Sequence, residues 1–335
     1  MLQRIARNKR HKHKGMAGNL ERVAAIFRKI DVGVQPGNRR RDYGRMWLAI
    51  LVSFPLWMLT GCLKHTRILE RPQAPSVVLT ANAHQLIQQL DQRYDAIHSM
   101  LATVLIQASV GGAVKGKETD YTSIRGHILL RQPSMLHVLG MLPVIETRAF
   151  DMVSNGKNFT LLIPPKSEAI TGTGTVTTPS KNPLMNLRPA VFYDSLLIKK
   201  VGPDDLVYVT SDTGIVRDPH SHRLIAEPDY ELGILRRSDD SQQLMPERVI
   251  HISRTNLLPF QQDEYDEHGI LVTRTMYSNY RTFDQIPYAT KIVISRPIDG
   301  YQLTLTILEL TFNHPLADAQ FELEIPPGTK IKKLP

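Results

Sequence analysis

A period of two governs most of this chain. In "YQLTLTILELTF", Tyr301, Leu303, Leu305 and Ile307 fall on one side, and Gln302, Thr304 and Thr306 on the other. After Ile307 the phase slips, so that Leu308, Leu310 and Phe312 become the apolar set. One extra residue in a long strand is the signature of a β-bulge, which bends a sheet. The same half-buried pattern recurs in "NFTLLIP", "DLVYVTS", "YELGILRR", "RVIHISR", "ILVTRTMYSNY" and "ATKIVISRP". Turn residues separate these runs at Asn155-Gly156, Pro203-Asp204, Asp239-Asp240, His268-Gly269 and Asp299-Gly300. The spacing predicts about eleven strands joined by short turns, and therefore antiparallel. Such a sheet must cover one apolar face. A β-sandwich does so by folding back on itself; a half-closed barrel leaves a cavity instead.

Few segments break the pattern. Leu86, Ile87, Leu90, Tyr94 and Ile97 recur at helical spacing, which predicts a helix over about 81–99 with Asn82 as its N-cap. A second, short helix is expected over about 187–196, after the Gly/Thr/Pro-rich loop "TGTGTVTTPSKNP".

The formal net charge of +9 would suggest a nucleic-acid or anionic-surface partner if it were spread over the chain. It is not spread. Residues 1–61 hold 13 basic and 3 acidic side chains, leaving 28 basic and 29 acidic for the rest. The β-rich part is close to neutral, and nucleic acid is excluded as its expected partner. The boundary between the two charge regimes is Cys62, the one cysteine in the sequence. Immediately before it, the uncharged run "MWLAILVSFPLWML" (46–59) is too short to span a bilayer but suits the apolar region of a secretory signal, with Arg39, Arg40, Arg41 and Arg45 ahead of it. Leu59-Thr60-Gly61-Cys62 resembles the lipobox of bacterial lipoproteins. That resemblance implies a diacylglyceryl group on the Cys62 thiol, cleavage before it, and a chain anchored to a membrane. Residues 1–61 then form a basic n-region and signal peptide. Residues 62–79, with two prolines, form a tether, and 80–335 a single domain. Leu63, rather than an aspartate, after the cysteine implies the outer membrane, facing the periplasm.

Several stretches resemble the LolA/LolB-like superfamily of lipoprotein carriers and receptors. The helix running into "SMLATVLIQAS" is similar to that family's opening elements, "SIRGHILLRQPSMLHVLG" to its next two strands, and "AFDMVSNGKNFTLLIPPKSEAITG" to a following hairpin. "FNHPLADAQFELEIPPG", with Asn313, Phe321, Pro326 and Gly328, resembles the family's C-terminal segment. The resemblance implies a mainly β fold, a bent antiparallel sheet forming a half-barrel lidded by a few helices, with an apolar cavity that takes acyl chains of lipids or lipoproteins. An anchor cysteine makes the chain more similar to lipid-anchored members than to the soluble carrier. Members of the RseB type imply an alternative, a protein-interaction or sensor module without lipid transfer, with other envelope proteins as partners.

No GxSxG, HExxH, CxxC or P-loop occurs, and no nucleophile–base pair is recognisable, so neither an enzyme nor a cofactor is expected. Asp218, His220 and His222 lie close together, but Asp218-Pro219 is a turn signal and a third ligand pattern is missing, so no metal is expected there. On the cavity reading, Phe159, Phe192, Tyr208, Leu232, Ile250, Tyr277 and Leu305 are the candidate lining residues, with about half expected to be packed core. Movement of the first helix and of the loop 171–183 is expected to open the cavity.

Overall fold

The computed structural model describes residues 70–112, 116–143, 147–173, 188–218, 221–237 and 243–334. The lipobox residues Leu59, Thr60, Gly61 and Cys62, most of the loop 171–183, and His220 lie outside the described residues.

Helix α1 (Ala83–Ala96) begins at Asn82, whose side chain accepts a hydrogen bond from the Gln85 amide while the Gln85 side chain accepts one from the Asn82 amide. This reciprocal capping box closes two amides that a helix start otherwise leaves open. There follow β1 (Ser99–Gly112), β2 (Lys117–Asp120), β3 (Ile124–Arg131), β4 (Met135–Met141), β5 (Arg148–Ser154), β6 (Asn158–Ile163) and β7 (Glu168–Thr173). Helix α2 (Pro189–Leu196) starts on a proline, which fits the first turn because its missing N–H is one the helix cannot use. After it come β8 (Leu206–Arg217), β9 (Leu224–Arg237), β10 (Leu244–Ser253), β11 (Pro259–Tyr265), β12 (Leu271–Phe283), β13 (Ile286–Arg296), β14 (Tyr301–Phe312) and β15 (Lys330–Lys333).

All fifteen strands belong to one open, curved sheet, in the order β15-β7-β6-β5-β4-β3-β1-β14-β13-β12-β11-β10-β9-β8, with β2 beside β1. Two of the strands beyond the expected eleven are β2 and β15, "KETD" and "KIKK", which are exposed throughout and carry no apolar alternation to detect. Two meanders, β3–β7 and β8–β14, are joined at the centre where β1 pairs antiparallel with β14. In that ladder Thr103 faces Glu309 and Val104 faces Ile307, so Leu308 is the extra residue. The phase slip in the sequence is therefore a bulge at the seam of the sheet, where it bends the two halves toward each other. Only β15, parallel to β7, departs from antiparallel pairing.

Both helices lie on one face, called inner here. The middle of that face is filled by Met100, Ile128, Leu136, Met152, Ile292 and Leu305 beneath Val191, Phe192 and Leu196 of α2. A second cluster packs Leu86 and Leu90 of α1 on Tyr230, Leu232, Ile234, Ile250 and Ile252. Asn313 joins the seam to α1: its side chain accepts from the His98 amide and donates to the Ala96 carbonyl, both at 2.8 Å. Its φ of 56° is one that asparagine tolerates better than most residues.

The C-terminal segment crosses the outer face of β3–β5. Arg131 donates to the Leu316 carbonyl and stacks over the buried Phe321 ring at 5.0 Å. His137 sits between two acceptors, the Gln320 carbonyl at 2.6 Å from Nδ1 and Asp151 Oδ1 at 2.7 Å from Nε2. Both ring nitrogens can donate at once only in the imidazolium form. Burial of the ring opposes that charge, but the Asp151 carboxylate and the Gln320 carbonyl outweigh burial and the neighbouring Arg148, so the His137 pKa is raised. A raised value means that this contact contributes fully below about pH 6.5 and is lost as pH climbs through the folded-state pKa. Hydrogen exchange in residues 316–322 is expected to accelerate beyond its intrinsic rate between about pH 6 and pH 8.5. The extra acceleration should vanish in His137→Gln, and equal protection of the parent at both pH values would refute the assignment.

Candidate functional site

The inner face is packed beneath the helices but not at the end formed by β1 and β3–β7. There the strands leave an apolar cavity of about 580 Å³. Its depth is formed by Ile106, Ile170, Phe192 and Leu303, all buried, and its walls by the half-buried Ile124, Phe150, Leu161 and Ile163. Tyr121, Thr122, Pro143 and Lys166 are exposed and form the rim, with Lys166 the one charged lining residue among the described residues.

Two glycines shape the floor. Gly126 and Gly140 are direct partners across the β3–β4 ladder. A Cβ on Gly140 would fall 2.4 Å from Cε1 of Phe150, and one on Gly126 2.7 Å from Cδ1 of Ile106. Any larger residue would drive Phe150 or Ile106 into the empty volume. Both glycines stand in "SIRGHILLRQPSMLHVLG", where neither turn nor loop accounts for them.

Helix α2 borders the cavity through Phe192 and is held from the other half of the sheet. Tyr288 donates to the Leu196 carbonyl at 2.7 Å, and Ser195 bonds Thr275 hydroxyl to hydroxyl at 2.9 Å. Gln262 donates to the Asp194 carbonyl, and Arg248 reaches the Lys199 and Lys200 carbonyls just beyond the helix. Glu264, opposite Arg248 in the ladder, is pushed up to about 7 by burial and then by the Asp194 charge. A carboxyl that titrates near neutrality thus lies under the helix terminus.

The seven residues expected to line a cavity are dispersed. Phe192 lines it. Phe159 is buried on the same strand as Leu161 and Ile163, with the Arg188 guanidinium 5.4 Å above its ring. Leu305 is fully buried in the central core, while Leu232 and Ile250 belong to the cluster beneath α1. Tyr277 borders a separate space of about 60 Å³ between α1 and α2. Tyr208 lies on the opposite, outer face, its ring over Gly233, where a Cβ would meet it at 2.0 Å. The reason is parity: Gly233, its ladder partner, alternates with the inward Leu232 and Ile234. Helix α1 likewise packs on the second cluster and contributes nothing to the cavity wall.

The lining residues that the sequence did not single out, Ile106, Ile124, Phe150, Leu161 and Leu303, carry the same alternation as core positions. Only strand register separates wall from core. Ala108 also lines the cavity, directly opposite Leu303. Ala108→Phe is expected to fill part of the volume and weaken an apolar reporter dye such as ANS by about tenfold, the worth of roughly two methylenes of burial. A dye titration beside a thermal melt checks this; unchanged affinity with unchanged melting would show that the dye binds elsewhere.

No protein-family model matches the sequence, and no curated protein does. Among solved structures, the chain is similar to the LolA superfamily protein NE2245 from Nitrosomonas europaea, at 15% identity and a TM-score of 0.45, covering 73% of this chain and 99% of that one. It is similar to an outer-membrane lipoprotein-sorting protein domain from Vibrio parahaemolyticus, at 13% identity and 0.45, covering 70% and 94%. A DUF1329 family protein from Desulfovibrio piger matches at 15% and 0.45, covering 71% and 94%. At such identities these are similarities of chain trace and bear on no ligand.

Proposed function

We propose that the chain is a non-catalytic, lipid-anchored protein of the cell envelope that accepts an acyl chain in the cavity between β1, β3–β7 and α2. The observation that carries this reading is the cavity itself, apolar at depth and ringed by exposed Tyr121, Thr122 and Lys166. Its volume falls in the range of about 300–1,000 Å³ typical of small-molecule sites. At roughly 30 Å³ for a methylene-sized unit, it holds on the order of twenty of them. Each methylene moved from water into such a site contributes about 0.8 kcal/mol, so affinity grows with chain length until the cavity is full. Lys166 at the rim favours a ligand with an anionic or strongly polar head and an apolar tail. Cys62 supplies the anchor, the outer membrane is the proposed location, and lipoprotein sorting is the process such a site would serve.

A second reading, an interaction module for envelope proteins, has one observation in its favour. β15 blunts one end of the sheet with Lys330, Lys332 and Lys333, a common protection for an edge. The other end, β8, exposes Leu206, Val207, Ile215 and Val216 along a twelve-residue strand. An unblunted apolar edge is a template for strand addition.

Native mass spectrometry of residues 63–335, produced in a periplasm without the anchor, is expected to show a co-purifying acyl lipid that is lost in Leu161→Glu. A mass that stays bare when lipids are added would transfer the weight to the β8 reading. Metabolic labelling with palmitate is expected to mark the full chain and not Cys62→Ala, which should leave the membrane fraction. A labelled Cys62→Ala protein would remove the anchor from the proposal.

A further inference from the structure

On the outer face, remote from the cavity, β9 and β10 bring together three side chains that the lipid reading does not use. Asp229 and Glu231 are two apart on β9 and therefore share a face, and His251 of β10 is the direct ladder partner of Glu231. One ligand atom from each lies within 4.8 Å of the other two. His251 Nδ1 is 3.4 Å from Asp229 Oδ2 and 3.8 Å from Glu231 Oε1. With metal–ligand bonds of about 2.0–2.2 Å, the edge of a tetrahedron is about 3.3–3.6 Å, and the two distances from the histidine lie within a few tenths of an ångström of it.

The surroundings are arranged as metal sites arrange them. Thr210 of β8 donates to Glu231 Oε2 at 3.1 Å, which leaves Oε1 turned toward the histidine. The far ring nitrogen, His251 Nε2, faces Asp263 Oδ2 at 4.0 Å. Asp263 is itself fixed by the Arg274 fork at 2.8 and 2.6 Å and by Gln261 at 3.0 Å. At that distance there is no direct hydrogen bond, and Asp263 adds negative potential behind the ring, as carboxylates do behind ligating histidines.

Among the described residues, negative charge is in excess around this trio. The Asp229 side chain is only 10% exposed, and its one polar contact among the described residues is the long one to His251. Burial raises its pKa, against the partial relief from His251. Asp212 of β8 stands opposite Asp229 in the ladder and adds a further negative charge, while Arg274 is committed to Asp263. Four carboxylates therefore face one imidazole and one engaged guanidinium.

We propose that Asp229, Glu231 and His251 bind a divalent transition metal on the outer face, with Zn²⁺ best suited to one nitrogen and two carboxylate donors. Three protein ligands leave a fourth position for water, and the ion ties β9 to β10. Nothing in this site depends on the cavity or on the lipid anchor.

Cobalt(II) is the probe, because tetrahedral Co²⁺ absorbs visibly where hydrated Co²⁺ hardly does. The full chain in mild detergent is expected to bind one equivalent with a tetrahedral spectrum that Zn²⁺ displaces. His251→Gln should abolish the band, and Glu231→Gln should weaken binding at least tenfold. Because the basic N-terminal run contains His11 and His13, the double variant H11Q/H13Q serves as a control and should keep the band. Should His251→Gln fail to fold, Glu231→Gln decides alone, since its side chain is 32% exposed. Zn²⁺ should raise the melting temperature of the parent and not of Glu231→Gln. The absence of a band at saturating Co²⁺, a band of undiminished affinity in Glu231→Gln, or a band lost in H11Q/H13Q would each overturn the proposal.

Discussion

The pairing of β1 with β14 is the contact on which the rest depends. These strands lie at opposite ends of the domain sequence, yet they form the seam between two meanders. Without the seam, β3–β7 and β8–β13 would be two separate sheets, each with an uncovered apolar face. The loop closed by this pairing is long, but closure entropy grows only logarithmically with length. Against that cost stand a ladder from Met100–Phe312 to Val110–Tyr301 and a continuous apolar row of Val104, Ile106, Leu303, Leu305 and Ile307. The bulge at Leu308 sits in this ladder. The bend that turns the inner face into a trough therefore arises at the one pairing that makes the sheet continuous.

A trough of this size cannot be lined by two short helices, and the structure divides the problem. Beneath α1 the side chains are long and branched and meet the helix directly. Beneath α2 the core includes polar groups that are almost fully buried, Ser195, Gln262, Thr273 and Thr275. Buried hydroxyls and amides are costly unless bonded, and Ser195 pairs with Thr275 and the Gln262 amide nitrogen with the Asp194 carbonyl across helix and sheet, while Gln262 Oε1 has no partner among the described residues. These directional bonds fix where α2 lies. Beyond it, the paired Gly126 and Gly140 lower the floor, and the remaining volume stays open. The cavity is the part of the trough that α1 does not cover and α2 only borders, through Phe192.

Much of this was legible in the sequence. Alternation gave the strands, the change of phase after Ile307 gave the bulge, and Asn82 gave the helix start, because each is a local signal with a local cause. The wall of the cavity was not legible, because Leu305 and Leu303 obey the same alternation and differ only in what stands across from them. Tyr208 shows the limit sharply. "DLVYVTS" declares a strand, but which parity faces inward is set by β9, where Gly233 leaves the space that the ring fills. The trio Asp229, Glu231 and His251 is hidden for the same reason. His251 is far from the other two along the chain, and only the β9–β10 register makes them neighbours, whereas the closely spaced Asp218, His220 and His222 drew notice through sequence proximity alone.

The asymmetry around α2 has a mechanical consequence. Hydrogen bonds from the sheet to α2 and the residues after it come from β10–β13, through Arg248, Gln262, Thr275 and Tyr288. Toward the cavity side it offers Phe192, whose contacts are apolar and non-directional, and at its start Arg188, stacked over Phe159 of β6. Hydrogen bonds fix orientation, whereas apolar surfaces can slide with little loss so long as area stays covered. The hydrogen bonds thus orient the helix on one half of the sheet, and its contacts with the other half are an apolar ring and a cation–π stack. Flexing at the central seam would carry α2 with the β8–β14 half and widen the cavity along the β1–β7 wall, while the hydrogen bonds to β10–β13 stay intact. A fold whose two halves meet at a single bulged ladder is suited to that movement, and Glu264, poised near neutrality beneath the helix terminus, lies on the half that stays fixed to it.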